Sequence, residues 1–305
     1  MPRSPRRPRS FERALIAVAV TGLGWLCTPS ADAAAPYFPW PGLLPPLPTA
    51  TSPQPRPVPG CRRPSIACVD RNIARLKSIQ TRLGCDHLNV FATTYLLTTR
   101  TVRSSLRRGR PHFRSRGWII YIDVLFHDYY YRALADYGAG RRLAGAWRLA
   151  FGAAARGDAN ATKDMLLGVN AHVQRDLPYV LATLGLRTRH GTSRKRDWDR
   201  FNLVLDAAYD PVVKAITQRF DPSVAITNPG TVVDGEAGLQ LFEAWRELAF
   251  RHAEQLLNAR TARRRRAVKR SIEANATATA REVAAIPERR GYRPVRDGYC
   301  ASHHR

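Results

Sequence analysis

The chain has 305 residues, a formal charge of +25 from 49 Lys and Arg against 24 Asp and Glu, and five cysteines. That charge favours contact with polyanions (anionic lipid, wall polymers or nucleic acid) and says nothing about fold; a GC-rich genome also produces such Arg and Ala richness. No P-loop, G-x-S-x-G elbow, H-E-x-x-H or dinucleotide fingerprict with an acidic partner occurs, which sets aside the enzyme classes those motifs serve.

Residues 1–33 read as a signal peptide. Arg3, Arg6, Arg7, Arg9 and Arg13 supply a positive start, Ala14 to Cys27 a short apolar run, and Ala31 and Ala33 the small residues of a cleavage site. The apolar run falls short of the ~20 residues needed to span a bilayer. Leu26 stands where a lipid-attachment box needs a small residue, and Arg6-Arg7 with Phe11 only loosely matches a twin-arginine signal. The expected localisation is secreted or cell-envelope associated. Removal of 1–33 leaves Cys61, Cys68, Cys85 and Cys300, an even number that an oxidising compartment would pair. The expected pairs are Cys68–Cys85 and Cys61–Cys300, although sequence alone leaves three connectivities open. No paired C-x-x-C favours zinc instead.

Residues 34–60 are proline-dense and nearly uncharged until Arg56, the composition of an extended linker. A helical domain over 61–270 follows. Ile73, Leu76, Ile79 and Leu83 repeat at helical spacing before Gly84, and Asp86 is placed to cap a second helix through Phe91, Tyr95 and Leu96. Trp118 to Tyr137 is apolar on every face, which suits a helix in the middle of a bundle. Further helices are expected at 141–156, 162–185, 196–220 and 236–268, with Pro178 interrupting one and Pro211 kinking or splitting another. Residues 221–235 carry strand-like residues and turn signals. The tail, 271–305, is expected to lie over the surface, held by Cys300. The fold class is therefore all-α: a single disulfide-stapled bundle of about six to seven helices.

Two pairs carry candidate chemistry. His172 and Asp176 stand four apart on the stripe of Met165 and Val169, and Asp123 and His127 stand four apart in the apolar helix. That spacing puts both members of a pair on one helix face, where they can share a metal or a water. Two such pairs on facing helices would supply four nitrogen and oxygen ligands for a divalent metal, zinc above all. The plainer alternative is that each His and Asp bond each other, or that Asp176 caps a helix starting at Leu177-Pro178. Asp128 and Asp199 are candidate bases. Asp199, Asn202 and Asp206 form a polar line that also fits a solvated face. His252 suits a core edge, and His303 and His304 a tail. The basic stretches Arg103–Arg116 and Arg260–Arg270 have no aromatics interleaved for base stacking, so no specific nucleic-acid partner is expected.

The runs CVDRNIARLKSIQTRLGCDH, FHDYYYRAL and GVNAHVQRDLPYVLATLGL resemble a bacterial family of helical proteins of unknown function, over roughly 66–260. The resemblance implies an all-helical fold and no activity. The spacing His172-x-x-x-Asp176 also looks, more distantly, like that of the zinc-dependent phospholipase C and single-strand nuclease superfamily. Those proteins use more histidines and a tryptophan at the mature N-terminus, where a cut after Ala33 leaves Ala34. Only His87, His127, His190 and His252 remain here as inner candidates, so one or two metals are the most this likeness implies. The leading expectation is a secreted metal-dependent hydrolase of a phosphoester or related ester. Its alternative is a non-catalytic envelope protein in peripheral contact with anionic polymer or lipid through its basic surface.

Overall fold

In the computed structural model, α1 (Ile66–Leu83) buries Leu76 and Ile79 and ends where Gly84 turns the chain at φ 51°. α2 (Leu88–Arg108) starts with the Leu88 N–H donating to Asp86 Oδ1 at 2.8 Å, the cap expected of that aspartate, and packs against α1. The structure describes residues 58–157, 159–224, 232–288 and 291–303. The expected signal peptide, most of the linker and the centre of the 221–235 connection lie outside the described residues.

α3 (Arg116–Gly138) is buried on several faces, from Trp118 to Tyr131, and contributes to two of the three apolar clusters. This is the central helix that its uninterrupted apolar composition foretold. α4 (Gly145–Arg156) and α5 (Ala161–Asn170) pack against each other, and Asn160 caps α5 by accepting from the Lys163 N–H.

Pro178 does interrupt the next helix, in a particular way. It has no N–H, and its ring would strike the carbonyl four residues back, that of Gln174. The chain accommodates it with a π turn, Ala171–Asp176, in which the Leu177 N–H reaches back to the His172 carbonyl. The axis then continues as α6 (Leu177–Leu184). π turns are rare and concentrate at functional sites.

α7 (Lys195–Arg200) and α8 (Asn202–Arg219) divide at Phe201, whereas Pro211 stays inside α8. α9 (Val232–Asn258) and α10 (Ala262–Ala285) replace the single helix expected over 236–268, and the break falls where the Thr261 hydroxyl caps α10. The tail is also helical rather than laid out flat: α10 runs to Ala285, and α11 (Tyr292–His303) follows. The part of α10 beyond residue 268 gives no helical pattern in the sequence because it buries small residues, Ala276 and Ala280, beside Ile272. The protein is all-α; among the described residues, ladder-type pairing is limited to isolated bridges at Val58–Cys61 and Arg187–Ser193.

The disulfides are Cys61–Cys68 and Cys85–Cys300, so the pairing expected from sequence is corrected. Cys68 and Cys85 sit at opposite ends of α1. Seventeen residues of helical rise separate them by about 25 Å, far beyond the reach of a disulfide. Cys61 is instead brought back onto the start of α1, with the Cys61 N–H bonded to the Val58 carbonyl. Cys85 receives the C-terminal helix, whose fully buried Arg296 donates to the Cys85 carbonyl at 2.7 Å. Two such bonds suit an oxidising, non-cytoplasmic setting. Among the described residues no helix is long and apolar enough to cross a membrane.

Candidate functional site

A cavity of about 150 Å³ opens between α2, α3, α5, the π turn with the start of α6, and α7 to α9. Its wall is almost wholly apolar, with Phe91, Ile122, Phe126, Met165, Trp198 and Leu205 among its residues. A few polar side chains interrupt it: Tyr95, Asp123, His172, Tyr209 and Arg246, with the threonines of α2. Sites for small molecules have this make-up, an apolar container with a handful of placed polar groups.

His172 is the most constrained of them. Its ring is buried and faces Phe126. Nδ1 lies 3.2 Å from Asp176 Oδ2, and a ring nitrogen facing a carboxylate carries the proton. The carboxylate is held in turn. Trp147 Nε1 donates to the same oxygen at 2.9 Å, and Arg175 donates to Oδ1 at 2.8 Å while also bonding Glu273 of α10. The plainer expectation, a mutual His–Asp bond, is therefore met; Asp176 also stands at the cap position of α6, with Pro178 in the first turn, but its side chain makes no capping bond there. What remains is Nε2. It is buried and without a hydrogen-bond partner. Burial holds the His172 pKa below that of a free imidazole, against the pull of Asp176, so the ring is neutral and Nε2 carries a lone pair.

Tyr95 stands between the two histidines. It stacks on His127, with centroids 4.0 Å apart, and meets His172 edge-on at 4.8 Å. Its hydroxyl is buried and also lacks a partner. Burial, then the nearby Asp123, pushes the phenol pKa well up, so the hydroxyl keeps its proton and is a donor.

Asp123 and His127 share the neighbourhood and play different parts. Asp123 reaches the cavity wall, where Asn72 Nδ2 donates to its Oδ2 at 3.0 Å. Burial raises its pKa to about 7, with the Asn72 bond opposing. His127 is fully buried, and both ring nitrogens are engaged: Nδ1 with the Asp123 carbonyl at 2.6 Å, Nε2 with the Thr99 hydroxyl at 3.0 Å. Burial takes its pKa down to about 3. So placed, His127 has no nitrogen left for a metal. Among the described residues no group of three or more His, Cys, Asp or Glu is arranged to hold a metal ion. His172, Asp176, His127 and Asp123 thus gather in one region without making the four-ligand set expected for zinc.

The candidate bases lie elsewhere. Asp128 pairs with Arg132 at 2.5 Å, and Asp199 pairs with Lys195, which also holds Glu247 at 2.8 Å; neither carboxylate lines the cavity. Of the polar line, Asn202 accepts from Arg246 Nε at 2.9 Å and Asp206 is exposed. His87 bridges Asp164 at 2.6 Å and Asp297 at 3.3 Å, tying α5 to α11. His190 is exposed and His252 is buried outside the cavity.

Sequence reading missed Tyr95, Trp147 and Arg246 as site residues. In the sequence Tyr95 belongs to the apolar stripe of α2 and carries no further signal. Trp147 sits 29 residues from the carboxylate that it holds, and no local pattern marks such a partner. Arg246 bonds the Trp198 carbonyl at 2.8 Å and lies over that indole at 3.8 Å.

A family model described as a family of unknown function (DUF5995) matches residues 69–286. Comparisons with curated proteins and with solved structures find no match.

Proposed function

Since the chain belongs to that family of unknown function, we propose from the cavity itself that the protein binds a small, mostly apolar molecule bearing one hydroxyl, and that His172 accepts the hydroxyl proton. The observation that carries this reading is the unpartnered, buried Nε2 of a histidine whose other nitrogen is fixed by Asp176. A buried acceptor without a partner costs roughly 1–3 kcal/mol, a cost that a ligand hydroxyl removes. Tyr95 supplies the complementary donor, so one hydroxyl can give its hydrogen to His172 and accept from Tyr95. A cavity of about 150 Å³ is of the size known to take up benzene when lined by apolar side chains.

The same arrangement can move a proton. Asp176 would stabilise the imidazolium formed when Nε2 takes a proton, as a buried carboxylate does behind a catalytic histidine. Export fits the two disulfides and the signal-like N-terminus, and this reading uses no metal.

Calorimetric titration with phenol and with benzene tests it. The wild type should bind phenol about tenfold or more tightly than benzene, the equivalent of one hydrogen bond of about 1.4 kcal/mol. His172→Phe, which keeps an aromatic ring on Phe126, should remove that preference. Equal affinities for phenol and benzene in the wild type would overturn the proposal.

A further inference from the structure

α10 begins with a concentration of positive charge that no acidic side chain among the described residues answers. Arg260, Arg263, Arg264, Arg265, Arg266, Lys269 and Arg270 are all exposed, and no acidic residue lies between Glu254 and Glu273. None of the seven makes an ion pair or side-chain hydrogen bond within the described residues. Elsewhere on the surface several arginines do have acidic partners, Arg103 with Asp70, Arg132 with Asp128 and Arg141 with Asp136.

The placement works against the helix. Cations in the first turns oppose the positive end of the helix dipole. Arg265 with Lys269 and Arg266 with Arg270 set like charges four apart, which costs a few tenths of a kcal/mol per pair. The Thr261 cap offsets part of this by accepting from the Arg264 N–H at 3.2 Å.

Four consecutive arginines, stepping about 100° each, surround the helix rather than line one side of it. A flat membrane would meet only part of that ring, and the exposed stretch from Arg260 to Ala267 offers no large apolar residue to enter a bilayer. It also offers no aromatic to stack on bases. Arginine's planar fork favours phosphate oxygens taken two at a time.

We propose that the start of α10 is a docking site for a flexible, phosphate-bearing polyanion that wraps around the helix end. The site is independent of the cavity.

Long-chain inorganic polyphosphate is the probe. Binding is measured on the purified full chain at physiological ionic strength, for wild type, for the variant carrying Arg263→Gln, Arg264→Gln, Arg265→Gln and Arg266→Gln, and for a control that loses the same charge from exposed positions at the end of α2 and in the connection after it: Arg107→Gln, Arg108→Gln, Arg110→Gln and Arg114→Gln. Circular dichroism melts confirm that all three fold. The first variant should bind at least about tenfold more weakly and show a shallower salt dependence, as expected when phosphate contacts are lost; the control should change by less than about twofold. Equal weakening of both variants would reduce the effect to overall charge and overturn the site. So would no binding by the wild type, or retention on phosphatidylglycerol vesicles that polyphosphate fails to compete away.

Discussion

The ring of His172 lies flat on that of Phe126, with centroids 3.4 Å apart and planes within 2°. Phe126 sets the plane of the imidazole and Asp176 sets its rotation within that plane. Together they fix where the Nε2 lone pair points, as a preorganised site requires. Phe126→Leu keeps the apolar character and removes the platform. It should weaken phenol binding by roughly 0.5–1.5 kcal/mol, the usual worth of a ring pair, and affect benzene less, since benzene does not use the lone pair. Calorimetry on the two ligands reads the difference.

Asp123 and His127 make opposite contributions to pH dependence. Asp123 has its pKa raised to about 7 in the folded state, so its contribution is fully present below the ordinary carboxylate range and is lost as pH rises through about 7. His127 is lowered to about 3, so its contribution is fully present above the imidazole range and is lost as pH falls towards 3. Between those ranges the folded protein holds the proton on Asp123 and the unfolded chain holds it on His127, and the two slopes cancel. Asp123→Asn removes one of them. Stability of that variant should fall on acidification by about 1.3 kcal/mol per pH unit more steeply than wild type, between roughly pH 6 and 5. Urea unfolding at several pH values measures it, and parallel profiles would count against the assignment.

The two disulfides close loops of very different length, with sequence separations of 7 and 215. On loop-closure entropy the longer should contribute about 5 kcal/mol and the shorter about 2. Paired Cys85→Ser and Cys300→Ser substitutions should therefore lower stability clearly more than Cys61→Ser with Cys68→Ser. Denaturant titration without reductant gives the comparison.

Gly168 allows α5 to approach Phe91: a Cβ there would lie 2.5 Å from the phenyl ring. Phe91 lines the cavity and meets His172 edge-on. Gly168→Ala should cost about 1–3 kcal/mol by overpacking and also weaken phenol binding, because Phe91 packs against the rings of Tyr95, Tyr130, Trp147 and His172 and any shift of it disturbs the cavity wall. A variant with unchanged stability and affinity would show that Phe91 relaxes freely.

Much of this was legible in the sequence, for identifiable reasons. The uniform apolarity of α3 gave its central place, and the spacing of His172 and Asp176 in a stripe with Met165 and Val169 put both inside. What separates a metal ligand from a proton acceptor is the occupancy of each ring nitrogen. That depends on Thr99 beside His127 and on Trp147 behind Asp176, neither of which any local pattern identifies. The disulfides were misread for a geometric reason: the length of α1 keeps Cys68 from Cys85. α10 was cut short because buried alanines leave no apolar signal.

The π turn at Ala171–Asp176 makes chain length itself a constrained property of the site. Side chains around the cavity can be exchanged one at a time, each at its own local cost. A π turn holds one residue more than an α-helix joining the same flanks. Removing a single residue here, Val173 for instance, would restore ordinary helical pairing and leave α6 facing α9 as it does now, while changing the spacing that sets His172 against Asp176. The same deletion within α3, which has no such slack, would swing everything beyond it by about 100°. The fold should therefore tolerate a deletion in this turn better than one in α3, and the His172–Asp176 contact should be what it costs.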